Sequence, residues 1–114
     1  TPDFETAAAW ITDHPGTDTY RWSKQAMNAY TARRAFALLQ QGIRINALLP
    51  GLTDTKFASA ITGNPKLMGL MSQLIPMGRS AQPDEIAPAV LFLVSPASAY
   101  VTGTCLAVDG GYLA

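Results

Sequence analysis

The sequence predicts an α/β fold, and three features carry that prediction. Ile43 to Leu49 is a short apolar run between Gly42 and Pro50-Gly51, interrupted by Arg44 and Asn46, the form of a parallel strand covered on both faces. Val101 to Val108 is a second strand-like run, closed by the Asp109-Gly110-Gly111 turn. Around and between them lie stretches with apolar residues at helical spacing, so helices alternate with strands as parallel pairing requires.

Taken in order, Phe4 to Thr12 has Phe4, Ala7, Ala8 and Ile11 at helical spacing and predicts a short amphipathic helix that stops before His14-Pro15. Thr17, Asp18 and Thr19 are N-cap candidates for a long helix that Gly42 terminates. Its packing face is expected to use Trp22, Ala26, Ala29, Tyr30, Phe36 and Leu39, with Arg33 and Arg34 on the polar side. Thr55 to Arg79 reads as two short helices joined at Gly63-Asn64-Pro65. Pro83 suits a first helical position, and Asp84 and Glu85 complement the positive end of the helix that follows. Ile86, Val90, Leu91, Leu93 and Val94 are expected to cover the sheet, and Pro96 stops that helix.

The most informative pair is Tyr20 and Lys24, because four residues return almost a full helical turn and stack a phenol and an ammonium on one face. A free phenol titrates near ~10 and exchanges protons poorly at neutral pH; a fixed cation beside it stabilises the phenolate. The pair can therefore serve as a general acid/base for a carbonyl or an alcohol, although the same spacing also makes an ordinary surface pair. Residues just beyond Leu49 stand at the carboxyl end of a strand, where open α/β sheets place their ligands, so Thr53 and Thr55 are well set to hydrogen-bond one. A capped loop leading into a helix is the plainer alternative for the same threonines.

Tyr20 and Lys24, the strand ending at Pro50-Gly51, Thr53 and Thr55, Gly78-Arg79, Pro83-Asp84-Glu85-Ile86-Ala87, Ser95-Pro96, Val101-Thr102-Gly103 and Val108-Asp109-Gly110-Gly111 follow one another in a telling order. That series resembles the C-terminal half of the classical short-chain dehydrogenase/reductase family, from Tyr20 to Ala114. Pro50-Gly51-Leu52-Thr53-Asp54-Thr55 and Ser95-Pro96-Ala97-Ser98-Ala99-Tyr100 are most similar to bacterial 3α-hydroxysteroid dehydrogenase/carbonyl reductase-type members. The resemblance implies the C-terminal part of a doubly wound Rossmann-type parallel sheet with flanking helices, residues 1–114 forming a single partial domain. It further implies hydride transfer between NAD or NADP and a secondary alcohol or carbonyl, with Tyr20 moving the proton. Lys24 would assist the phenol and bind the nicotinamide ribose. The backbone of Leu52 and Thr53 and the hydroxyl of Thr55 would hold the carboxamide and a phosphate, and Pro50 and Gly51 would shape the ring's pocket. Where the resemblance places a substrate lid, Met68, Met71, Met77 and several leucines suggest an adaptable apolar wall, and so an apolar substrate such as a steroid or aromatic ketone. Core or subunit packing explains those residues equally well.

Two parts of the family pattern have no counterpart in these residues. No serine precedes Ser23, which is adjacent to Lys24 and faces elsewhere on the helix, and no Gly-x-x-x-Gly-x-Gly loop is present. Trp22 stands where the family commonly has a small residue. With Thr1 rather than Met opening the chain, the expectation is a C-terminal half, inactive and poorly stable alone, that belongs to a homo-oligomeric enzyme when full length. A scaffold of the same fold that binds a nucleotide or a protein without turnover is the alternative; the joint presence of Tyr20, Lys24, Thr53 and Thr55 argues against it.

Composition narrows the remaining classes. Eight basic and eight acidic residues give a formal net charge of zero, which disfavours nucleic acid and anionic membranes as partners. No apolar run approaches the roughly 18 residues of a membrane span, so a cytoplasmic protein is expected. One cysteine, Cys105, excludes an internal disulfide and reads as an inert strand thiol. One histidine, His14, in a Pro-Gly turn, gives no metal-ligand spacing and reads as solvated.

Overall fold

The structure is a computed structural model describing residues 4–17 and 19–114. Helix α1 (Phe4–Asp13) and helix α2 (Tyr20–Leu39) precede strand β1 (Ala47–Pro50). A single 3-10 turn (Lys56–Ala58) then leads to α3 (Ser59–Thr62), α4 (Pro65–Leu74) and α5 (Pro83–Val94), and a second (Pro96–Ser98) leads to β2 (Cys105–Val108). The two strands pair in parallel, with Ala47 opposite Cys105 and Pro50 opposite Val108. A lone parallel bridge between Thr53 and Ala81 carries the pairing past the end of β1.

Local chemistry explains the helix limits. The Thr19 hydroxyl accepts from the Trp22 N–H at 3.2 Å and starts α2. Gly42 adopts φ +72 just beyond the helix, where a side chain would be strained. Asp18, the third cap candidate, lies outside the described residues. The Asn64 side chain accepts from the N–H groups of Lys66 and Leu67, with Pro65 at the first helical position of α4. The Glu85 carboxylate reaches back to the Gln82 N–H at 2.8 Å and fixes the start of α5.

Both strands are shorter than the expected 43–49 and 101–108, and the interrupting polar residues are the reason. The Arg44 guanidinium donates to the carbonyls of Val101, Leu93 and Ser95. Asn46 donates to the Val101 carbonyl and accepts from the Thr104 N–H, while the Thr102 hydroxyl accepts from the Ile45 N–H. Side-chain bonds thus supplement the backbone bonds from the Gly103 N–H to Ile45 and from the Ala47 N–H to Thr104, and the chain enters β1 and β2 already joined.

The apolar faces are less covered than their periodicity predicts. Among the described residues Ile75 is the one buried hydrophobic side chain, with Thr31 and Ser98 the buried polar ones. On α2, Trp22 and Ala26 are half-buried, but Ala29 is exposed and Phe36 is 76% exposed. On α5, Ile86 and Leu93 are half-buried, whereas Leu91 and Val94 are 66% and 72% exposed. The cause is geometric: α2 and α5 both pack on β1, and a sheet two strands wide is too narrow to cover either apolar stripe.

Candidate active site

Tyr20 is the first residue of α2, and the exit from β1 passes beside it. One open groove is lined by Tyr20, Pro50, Gly51, Leu52, Thr53 and Thr55, so six of the seven expected site residues share it. Lys24 lines an adjoining groove between α2 and β1, together with Tyr20 and Pro50. Strand register and helix spacing therefore bring together residues about thirty positions apart. The Lys24 ammonium lies over the Tyr20 ring, 5.1 Å from its centroid, in cation–π contact.

The loop after β1 is held by backbone bonds that leave part of it open. The Gly51 N–H donates to the Val108 carbonyl, the Ala81 N–H to Leu52, and the Asp54 N–H to Ala81. Among the described residues, the N–H groups of Leu52 and Thr53 have no acceptor. The Thr53 hydroxyl donates to the Gly51 carbonyl at 2.9 Å. The Thr55 hydroxyl accepts from the Ala58 N–H at 3.4 Å and caps the 3-10 turn, which is the role the plainer alternative gave it. Gly51 is required by space: a Cβ there would stand 2.7 Å from the Asp109 Cα.

Phe57, on the capped turn, points its ring at Tyr20 with 6.0 Å between centroids, and Ile61, Ile86 and Val90 continue the apolar wall. Phe57 lay outside the expected site residues; its sequence signal is its apolar character at the start of the stretch after Thr55. Of the methionines expected in that wall, Met77 instead lines a separate groove with Ile75 and Arg79. There the Arg79 guanidinium holds the Glu85 carboxylate through two bonds, at 2.6 and 2.7 Å. That contact, with the Gln82 N–H, lowers the Glu85 pKa from its ordinary 4.5 to about 2.

His14 is exposed in its turn, as expected, and it also makes specific contacts. Its Nδ1 lies 2.7 Å from the Trp10 carbonyl, and its ring stacks on Trp10 at 3.9 Å. Trp10 stacks in turn on Trp22, 5.5 Å away, which accounts for a large residue at position 22. Cys105 is a free, half-buried thiol in β2. Among the described residues no cluster of three or more His, Cys, Asp or Glu side chains can hold a metal, and no helix is long and apolar enough to cross a membrane.

A protein-family model described as enoyl-(acyl carrier protein) reductase matches residues 6–113. The chain belongs to the short-chain dehydrogenase/reductase family. Galactitol 2-dehydrogenase (L-tagatose-forming) of Cereibacter sphaeroides is 45% identical over 94 residues, which are 82% of this chain and 37% of that protein. The 3α-hydroxysteroid dehydrogenase/carbonyl reductase of Comamonas testosteroni is 36% identical over 112 residues, 94% of this chain and 44% of that enzyme. Among solved structures, a protein of Agrobacterium tumefaciens assigned as a 2-deoxy-D-gluconate 3-dehydrogenase, with NADP bound, matches at a TM-score of 0.79 and 34% identity. That match covers 82% of this chain and 38% of the other. The fold is accordingly the Rossmann-type α/β fold of this family, and the chain spans about two-fifths of the length of these short-chain dehydrogenases.

Proposed function

We propose that this chain is the C-terminal, proton-transferring half of an NAD(P)-dependent oxidoreductase that interconverts a secondary alcohol and a carbonyl. The observation that carries the reading is the shared groove: Tyr20 opens onto the same surface as Pro50 to Thr55, with Lys24 over its ring. A bound nicotinamide supplies or accepts the hydride. Tyr20 gives its hydroxyl proton to the carbonyl oxygen in reduction, and the phenolate form takes the proton of the alcohol in oxidation. Lys24 holds its ammonium over the Tyr20 ring and would bind the ribose of a bound cofactor. The open N–H groups of Leu52 and Thr53 suit the carboxamide, and the Thr55 hydroxyl, which accepts from Ala58, retains its own proton for a phosphate. Pro50 and Gly51 line the same groove and would bound the ring's pocket.

Phe57, Ile61, Ile86 and Val90 favour an apolar substrate such as a steroid or aromatic ketone. The galactitol dehydrogenase relative supports a second reading, a polyol, at the higher identity. The exposed stripes of α2 and α5, and the span of two-fifths of the relatives' length, support a partial domain completed by further sequence that brings the glycine-rich loop and catalytic serine. We place the whole enzyme in the cytoplasm as a homo-oligomer. The test is Tyr20→Phe in the full-length protein: turnover of cyclohexanol or galactitol should be abolished while dinucleotide binding stays nearly intact. Surviving turnover would remove Tyr20 from the chemistry, and dinucleotide binding with no turnover in the unaltered protein would favour a scaffold.

A further inference from the structure

We propose that Trp22 is a positioning residue for Tyr20, acting by stacking on Trp10 to lock the first turn of α2. The kinetic part of this inference rests on the proposed acid/base role of Tyr20; the structural part does not.

Tyr20 occupies a weak place in a helix. The first N–H groups of any helix lack intrahelical acceptors, and α2 has no acidic side chain in its first turn to offset the dipole. The Tyr20 ring itself touches Lys24 and Phe57, and two further restraints hold the turn against fraying. One is the Thr19 cap on the Trp22 N–H, at 3.2 Å. The other is the Trp22 ring, 5.5 Å from Trp10 at an interplanar angle of 27°. Trp10 is itself braced by His14, stacked at 3.9 Å and 13°, whose Nδ1 lies 2.7 Å from the Trp10 carbonyl.

The brace continues into the turn before Tyr20. The Thr17 hydroxyl and N–H both donate to the His14 carbonyl, at 2.7 and 3.2 Å. Tyr20, 65% exposed, thus stands between a hydrogen-bonded turn and a stacked residue two positions on. Helix α1 has no buried residue, and the Trp10–Trp22 stack joins it to α2. A tyrosine on a frayed turn would lose its placement over the groove, and misplacement by about 1 Å can cost on the order of a hundredfold in rate.

The experiment uses the full-length protein and the variants Trp22→Ala, Trp10→Ala and Trp22→Phe, with Tyr20→Phe alongside. Amide hydrogen exchange at residues 22–24 should accelerate in both alanine variants while residues 31–39 keep their protection. With cyclohexanol or galactitol as substrate, kcat should fall about ten- to a hundredfold at nearly constant dinucleotide Kd. Trp22→Phe, which still stacks, should restore both readouts. Trp10→Ala decides the matter if Trp22→Ala fails to fold, since it leaves α2 unaltered. Unchanged exchange at residues 22–24, loss of protection spread evenly along α2, or no rescue by phenylalanine would each overturn the inference. If Tyr20→Phe keeps turnover, the acid/base reading fails by itself, and the exchange data still judge the positioning.

Discussion

The Lys24 ammonium lies over the face of the Tyr20 ring, 5.1 Å from its centroid, with both residues on the first two turns of α2. A cation held there acts on the ring's electrons and on any charge that develops at its oxygen. Lys24→Met in the full-length protein should lower kcat about a hundredfold, and Lys24→Arg should recover part of it. Steady-state kinetics checks this, and equal losses in both variants would mean that the charge is not what matters.

Arg44 joins the entrances of both strands to the end of α5 through three carbonyls. Arg44→Met keeps the aliphatic stem and removes the donors. The expected loss is about 1.5–3 kcal/mol, the range for hydrogen bonds to a charged group, read as a lower urea midpoint at constant m-value.

Gly51 is confined by backbone, since a Cβ would meet the Asp109 Cα at 2.7 Å. Backbone has little room to yield, so Gly51→Ala should destabilise by about 1–3 kcal/mol. The matched control is Gly69→Ala, where a Cβ meets nothing within 4 Å, and it should be neutral or better in thermal melts.

The Arg79–Glu85 pair gives stability a pH dependence of definite sign. Because the Glu85 pKa drops from 4.5 to about 2 on folding, the contribution is fully present above 4.5 and is lost as pH falls through 2. Both side chains are about half exposed, so salt should weaken the effect. Glu85→Gln should flatten the stability profile between those pH values in low salt, as measured by urea midpoints.

The 114-residue chain by itself should associate. Phe36, Leu91 and Val94 present apolar surface that a two-stranded sheet leaves uncovered. Gel filtration should give a broad, concentration-dependent profile, and dinucleotide should bind weakly. A sharp monomer peak with cooperative unfolding would contradict this.

Much of the fold was legible because local chemistry agreed with the pattern. Thr19, Asn64-Pro65 and Pro83 each mark a helix start where the structure places it, and Gly42 follows the end of α2 at Leu39 by three residues. The grouping of Tyr20 with Pro50 to Thr55 was legible from the rule that ligands meet strand ends. Burial was overestimated, since periodicity reports which face is apolar and says nothing about what lies opposite. Arg44 and Asn46 looked like interruptions of a strand because their carbonyl partners at 93–101 are distant in sequence. The stack of His14, Trp10 and Trp22 escaped notice for the same reason: it joins two helices across a turn.

Both tryptophans of the chain belong to that one joint. Indole emission from these residues is consequently a single-site optical signal, arising where α1 meets α2 and two positions from Tyr20. The paired rings are close enough to couple their transitions, so near-ultraviolet dichroism and emission would follow the docking of α1 without any introduced label.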